Sequence, residues 1–566
     1  MCCGASPTCC TCRTARTSAR RCAHAPRPVA EPGPHPDLAR RRLSAALAAA
    51  PWLGAGAVAG AHADGGVSRW FAGARPGPLA REALALLSAA GEQGLQPQDY
   101  GVDALRHALA AAAQGPAPDA AAAARLEAAL TAAMLRYLRD LAEGRIDPRQ
   151  VHQNFRPARR APFDAAAALD AALAAGALTP AVQRAAPALP LYGQLRTALA
   201  RCRALADHAA WREALPALPP PKTRRGTAKL EPGDDWAGTP RLAQRLAAWG
   251  DLEAAVAAGA GTVYDAALAD AVRRFQRRHA LAEDGVLGRS TLAALQVTPA
   301  ERARQVELTM ERLRWTPLVQ APRMIVVNLP EFVLRAYEVG ADGRITVAAR
   351  MKVIVGRALD TRTPQFDEDM RFIEFSPYWN VPPSIARGEL IPRLRRDPAY
   401  WEREGFEFAD GAGRADTALS PAKLDAVLAG RLRIRQRPGP RNALGDIKFV
   451  FPNRQNIYLH HTPATSLFER ERRDFSHGCI RVEDPVALAR FVLQDEPGWT
   501  DERIRGAMAG GTSSTLRLAR PLPVLIAYGT TLVIEGRPHF FADLYGHDRL
   551  LDRALRETPR PALPAP

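Results

Sequence analysis

The hydrophobic pattern of the chain changes period at Arg323, and that change confines it to a helical first half followed by a β-rich domain. Ahead of the change, Leu126, Leu130, Met134, Tyr137, Leu138 and Leu141 recur at helical spacing and form one apolar stripe. Behind it, Met324-Ile325-Val326-Val327-Asn328-Leu329, Phe332-Val333-Leu334 and Ile345-Thr346-Val347 are short β-type runs with Gly-containing turns between them. At ~150 residues per domain, the length predicts three or four units. Hydrophobic residues make up 47% and charged residues 24%, the balance of a soluble globular chain; the only apolar stretch long enough to approach a membrane span is near the N-terminus, which excludes a polytopic membrane protein. The expected fold is multidomain α+β.

Residues 64–240 read as an all-α domain, with Gly91, Gly94 with Pro97, and Gly144 with Pro148 as helix punctuation. It ends in a linker from Pro216 to Pro240 that is rich in Pro, Gly, Lys and Asp. A small helical unit follows at 241–300. Its spacing puts Leu268, Val272 and Phe275 on one helix face, and Asp284-Gly285 makes a tight turn before a further helix opening near Ser290 or Thr291. With Phe275-Gln276, Gly288 and Thr291, this unit resembles the three-helix peptidoglycan-binding domain family. The β domain is expected at 322–535, closed by a hairpin of Val524–Tyr528 with Thr531–Ile534 and interrupted at about 385–432 by a helical insert, a lid over a site or else mere decoration. A C-terminal extension occupies 536–566, Pro-rich and frayed beyond Thr558.

The first 63 residues predict export. Arg40-Arg41-Arg42, the apolar run from Leu43 to Val58 and Ala61-His62-Ala63 are the basic, apolar and small-x-small parts of a secretory signal, read as cleaved after Ala63 in preference to an uncleaved anchor. The expected location is the periplasm. Six of the eight cysteines fall in the first 22 residues, an unstructured leader, so Cys202 and Cys479 remain and no disulfide framework is expected. The net charge of +17 includes +6 from this leader and signal, where eight arginines face Glu31 and Asp37. The remainder suits any polyanion, including DNA, an anionic lipid surface or an acidic cell-wall polymer.

The chemistry is concentrated in Tyr458-Leu459-His460-His461-Thr462-Pro463 and Phe475-Ser476-His477-Gly478-Cys479-Ile480-Arg481-Val482. A thiol needs a base or a positive neighbour to supply thiolate. Histidines flank Cys479 in its own phrase and 19 residues earlier. Gly478 lets the backbone bend, so N–H groups near Gly478 and Cys479 are expected to converge on an oxyanion. Arg481, two residues on, shares a strand face with Cys479 and could grip a substrate carboxylate. A zinc site built from His460, His461, His477 and Cys479 is the alternative, disfavoured by the absence of paired ligand spacing, and no metal or cofactor is expected. His461 is read as a bystander, because neighbours on a strand point to opposite faces.

These phrases resemble the L,D-transpeptidases with a YkuD-type catalytic domain, whose hallmark is a His, a gap, then Ser-His-Gly-Cys, an apolar residue and Arg. Val355-Gly356-Arg357 with Thr363-Pro364, Tyr378-Trp379-Asn380-Val381-Pro382-Pro383, and Arg437-Pro438-Gly439-Pro440 with Asn442-Ala443-Leu444-Gly445 extend the resemblance. Trp70-Phe71, Arg75-Pro76, Gly94-Leu95 and Asp99-Tyr100 are similar to the large periplasmic branch that carries a helical scaffold domain, a peptidoglycan-binding module and an inserted lid.

The resemblance implies Cys479 as nucleophile and His460 as general base. Gly478, His477 and Ser476 would shape the oxyanion site, and Arg481, Tyr458 and Trp379 the substrate pocket. In that branch Asp commonly stands at the position of His461, and Ser can stand at that of His477. The implied activity joins third-position diamino acid residues of peptidoglycan stems through a thioester and releases D-Ala. Tetrapeptide stems would be donor and acceptor, D,D-carboxypeptidases would supply them, and no nucleic acid is involved. An L,D-carboxypeptidase using the same thioester, or a non-catalytic peptidoglycan-binding scaffold, are the alternatives.

Overall fold

The computed structural model describes residues 69–151, 162–315, 321–358 and 361–566. The leader, its six cysteines and the secretory signal read at 1–63 lie outside the described residues. No helix among the described residues is long and apolar enough to cross a membrane.

The first domain is built around the helix Ala120–Glu143. Its N-cap Asp119 accepts the Ala122 N–H at 2.7 Å, satisfying one of the orphan donors of the first turn. The whole stripe from Leu126 to Leu141 is buried against helices Pro78–Ser88, Val102–Gln114, Ala165–Ala175 and Thr179–Ala185. Asp140 lies in this core as well, and it explains the course of the far end of the chain. A buried carboxylate needs a cation and hydrogen-bond donors. Tyr100 donates at 2.8 Å and Arg560 at 2.6 Å, the Pro561 carbonyl accepts from Arg136 at 2.6 Å, and Leu563 packs against the core. The segment beyond Thr558, expected to fray, is therefore strapped onto the first domain.

The next unit has the helices Thr239–Ala248, Ala266–Arg278 and Arg289–Gln296 around Leu242, Leu246, Tyr264, Leu268, Val272, Phe275 and Leu295. Its turn is held by one side chain: the Gln276 amide donates to Asp284 Oδ1 at 2.8 Å and accepts the Gly285 N–H at 2.9 Å. Gly285 sits at φ +71°, where an added Cβ would meet the Ala269 carbonyl at 3.1 Å. The last helix starts at Arg289 with Gly288 as N-cap, just ahead of the expected Ser290 or Thr291. The stretch Pro216–Pro240 does not span open space. Leu230 and Trp236 enter this same core and Leu230 pairs with Leu287, because large apolar side chains in a Pro-rich segment still gain by leaving water.

The β-rich domain comprises β1 (Arg323–Asn328), β2 (Val333–Val339), β3 (Ile345–Gly356), β4 (Phe366–Phe375), β5 (Ile447–Val450), β6 (Leu459–His460), β7 (Asp474–Ser476), β8 (Ile480–Val482) and β9 (Ser514–Ala527). They form one sheet in the order β7-β3-β8-β6-β5-β4-β9-β1-β2, and β2 pairs back onto β3, so the sheet closes on itself. Val353, Val355, Ile373, Phe375, Ile447, Phe449, Leu459, Ile480 and Val482 form its core together with helices Pro485–Leu493 and Asp501–Ala509. The expected closing hairpin is different in kind. Val524–Ala527 belongs to β9 and runs parallel to β1, whereas Thr531–Ile534 pairs with Arg537–Phe540 in a separate two-stranded sheet.

The insert is α/β rather than helical. Trp379–Asn380, Arg433–Gln436, Phe406–Ala409 and Ala415–Asp416 make a four-stranded antiparallel sheet in that order, covered by helices including Ile391–Arg396, Ala399–Arg403 and Pro421–Leu428. It has its own core, with Leu394, Trp401, Phe406, Phe408 and Ile434. Strands of two to four residues are too short to display a period of two, which is why this sheet escapes the sequence pattern.

Candidate active site

Strand register assembles the site. β6 runs parallel to β8 with Leu459 opposite Ile480 and His460 opposite Arg481, and the Ile480 N–H donates to the Tyr458 carbonyl at 3.0 Å. Residues opposite one another share a face and neighbours along a strand alternate. Tyr458, His460 and Arg481 therefore occupy one face, with Cys479 entering it one residue ahead of β8. Leu459 and Ile480 turn the other way, fully buried in the core. β5, antiparallel to β6, adds Lys448 opposite His460, and β4 adds Glu374 opposite Lys448. Neither was singled out from the sequence. The Phe449-Val450-Phe451 run marks Lys448 as facing away from Phe449, but only the register shows that this is the face of Cys479.

His460 is buried, and its Nδ1 lies 2.5 Å from the backbone carbonyl of His461. A carbonyl only accepts, so Nδ1 carries the proton and Nε2 keeps a lone pair. Burial, reinforced by the Arg481 guanidinium, pushes the imidazole down to about 3. The ring is thus neutral at working pH, as a proton acceptor must be. Cys479 is half-buried. Burial raises its thiol, opposed by hydrogen bonding from Tyr458 and by the charges of Lys448 and Arg481. The thiol also lies 3.5 Å from the Asn456 carbonyl.

Gly478, at φ +117°, makes the turn that presents Cys479, and a Cβ there would meet Ile457 Cδ1 at 3.2 Å. Ser476 braces the turn from within: its hydroxyl donates to the Cys479 carbonyl at 2.6 Å and accepts the Gly478 N–H at 3.1 Å. The Gly478 N–H is therefore already engaged, contrary to the expectation that it would face an oxyanion. Thr363 braces the turn from outside. Its hydroxyl donates to the Gly478 carbonyl at 2.7 Å and accepts the Gly356 N–H at 2.9 Å, while the Tyr545 hydroxyl donates to the Gly356 carbonyl at 2.8 Å.

Arg481 is half-buried; no carboxylate pairs with it among the described residues, and its buried Nε has no hydrogen-bond partner. A buried N–H left without a partner costs stability. The three other candidates sit elsewhere. The His461 ring lies against Gly445, itself at φ +65°, and pairs with Asp446 at 2.6 Å, so His461 reaches His460 through its backbone and not its ring. The His477 ring reaches into the insert and bonds Glu389 at 2.6 Å. Trp379 lies on the edge strand of the insert sheet, and its ring centroid is 6.5 Å from that of Phe406, inside the insert's own core. The histidines thus have separate partners, and no group of three or more His, Cys, Asp or Glu among the described residues is placed to hold a metal ion. Asn442 explains the Arg437–Gly445 phrase: its amide donates to the carbonyls of Pro377 and Arg437, both at 3.0 Å, and so ties the two ends of the insert together.

Comparison with known proteins yields three family matches. Residues 322–530 match the YkuD family, described as an L,D-transpeptidase catalytic domain; residues 63–199 match a scaffold domain; residues 239–295 match a “Putative peptidoglycan binding domain”. A Haemophilus influenzae protein named “Putative L,D-transpeptidase” is 31% identical over 280 residues, which is 48% of this chain and 55% of that protein. The match thus spans about half of that relative's length. Epoxide hydrolase 1 of Sus scrofa is 25% identical over 101 residues, covering 18% of this chain and 22% of that one. A solved structure of a fused zinc-dependent amidase, peptidase and peptidoglycan-binding protein from Clostridium acetobutylicum covers 53% of this chain and 99% of its own at 12% identity, with a TM-score of 0.16, too low to support an argument.

Proposed function

Because residues 322–530 match an L,D-transpeptidase catalytic domain and the residues before them match a scaffold domain and a peptidoglycan-binding domain, we propose that the chain cross-links peptidoglycan stems by thioester chemistry on Cys479. The observation that supports this most directly is the shared face of Cys479, the neutral His460 and Arg481, which pairs with no carboxylate among the described residues. Arg481 would hold the terminal carboxylate of a tetrapeptide stem. Cys479 Sγ would attack the carbonyl carbon of the third, diamino residue as His460 Nε2 takes the thiol proton. The bond to D-Ala then breaks, and the proton passes to the departing amine. The side-chain amine of a second stem attacks the thioester, the C–S bond breaks, and the amine's surplus proton returns to sulfur. The oxyanion would lie against the Cys479 and His477 N–H groups, since that of Gly478 is engaged by Ser476.

The function is tested with purified protein and tetrapeptide muropeptides, the products being weighed by mass spectrometry. A cross-linked dimer with loss of D-Ala is expected; D-Ala release with only tripeptide products would instead identify a carboxypeptidase. Residues 1–63 would export the chain to the periplasm. Protein recovered from the envelope should begin at Asp64, and retention in the cytoplasm would remove the cell-wall reading.

A further inference from the structure

The catalytic turn and the insert touch through two side chains whose separation in sequence hides the relationship. His477 Nε2 lies 2.6 Å from Glu389 Oε1. A carboxylate only accepts, so Nε2 carries the proton. Glu389 sits in a single π-helical turn, Ala386–Leu390, wedged between the helical turns Pro383–Ile385 and Ile391–Arg396. Pro392 accounts for the widening, because it has no N–H to give the carbonyl four residues back, at Gly388. Isolated π turns cost stability and recur where a side chain must be aimed for function. On the other side of this turn, Ala386, Leu390, Ile391 and Leu394 are buried in the insert's core, so Glu389 is carried on a rigid element. The pair itself is at the rim: the His477 side chain is 28% exposed and that of Glu389 55%.

We propose that Glu389 is a positioning residue that clasps the insert to the catalytic turn through His477, and that the clasp keeps water from the Cys479 thioester so that an amine resolves it. The proposal rests on the thioester reading above. An exposed pair contributes little to fold stability. What it can shift is the balance between an insert seated on the turn and an insert lifted from it, and a lifted insert admits water to an acyl group that would otherwise wait for the acceptor.

Two measurements on the full chain test this, with wild type, Glu389→Ala and Glu389→Gln. Hydrogen exchange over residues 383–396 reads the clasp without any turnover: it should quicken in Glu389→Ala and stay near wild type in Glu389→Gln, whose amide oxygen still accepts from His477. Product analysis with tetrapeptide muropeptides reads the consequence. The ratio of hydrolysed to cross-linked product should rise up to about five-fold in Glu389→Ala, the limit set by an exposed pair. It should return toward wild type in Glu389→Gln, with the rate of carbapenem acylation and the melting temperature little changed in both. Unchanged exchange in Glu389→Ala, or quickened exchange with an unchanged product ratio, would overturn the proposal. So would equal loss in the Ala and Gln variants. If wild type itself formed no acyl-enzyme while the exchange results held, the thioester reading would fall and the clasp would stand only as a structural contact, so the two failures are distinguishable.

Discussion

His460 and Arg481 stand opposite one another across the parallel β6–β8 pair, and the guanidinium that helps keep this imidazole neutral pairs with no carboxylate among the described residues. One arginine thus has two effects: it disfavours a proton on His460, and its charge favours the thiolate of Cys479.

Arg481→Gln should therefore impair use of a substrate with a free terminal carboxylate. A charge-assisted hydrogen bond is worth about 1.5–3 kcal/mol, so kcat/KM for tetrapeptide should fall roughly 10- to 100-fold. Alkylation of Cys479 by neutral iodoacetamide should change far less. Equal loss in both reactions would mean that Arg481 acts on the thiol and not on substrate.

Cys479 should carry the acyl group after incubation with a carbapenem, seen as one adduct in intact mass and absent in Cys479→Ala. Cys202 is an internal control, since it is fully buried and burial pushes its thiol up to about 12. An adduct on Cys202, or none on folded wild type, contradicts the assignment.

The pH dependence of that acylation follows from the two directions of shift. With His460 pushed down to about 3 and the Cys479 thiol raised, the uncharged pair persists across the range between them. Acylation should accordingly be flat from about pH 5 to 8. A limb near the ordinary imidazole value of ~6.5 would show that His460 is not held neutral by its surroundings.

The same shift governs acid stability. Below ~6.5 the unfolded chain protonates His460 and the folded one does not, until the pH nears about 3. Stability contributed by the neutral ring is present above that window and lost as pH falls through it, at ~1.4 kcal/mol per pH unit for one such group. His539, pushed down to about 4 by burial, adds to the same loss. His460→Gln should flatten the dependence of denaturation midpoint on pH between about 6 and 4 by about one proton; an unaltered slope would refute the buried neutral ring.

Thr363→Val keeps shape but removes the hydroxyl shared by Gly478 and Gly356. Leaving those buried groups unpaired should cost about 1–3 kcal/mol in thermal or denaturant unfolding. Acylation should slow further than stability alone explains, because the turn presenting Cys479 loses its outer brace. Full activity in Thr363→Val would show that Ser476 suffices.

Much of this protein is determined by local pattern. The Leu126–Leu141 stripe, the Gln276 and Asp284-Gly285 turn, the switch to β text at Arg323 and the phrase containing Cys479 each depend on residues a few positions apart, where spacing and residue type act directly. Tertiary structure alone decided the rest. Period two states that Tyr458 and His460 share a face, but not that Lys448 and Glu374 join them, because register links strands across unrelated stretches of chain. Three neighbouring histidines look equivalent in sequence and differ only through their partners: His460 meets a backbone carbonyl, His461 meets Asp446, and His477 meets Glu389, 88 residues away. The C-terminal strap was hidden for the same reason, since the attraction of Arg560 to Asp140 acts across 420 residues and leaves no periodic trace in either segment.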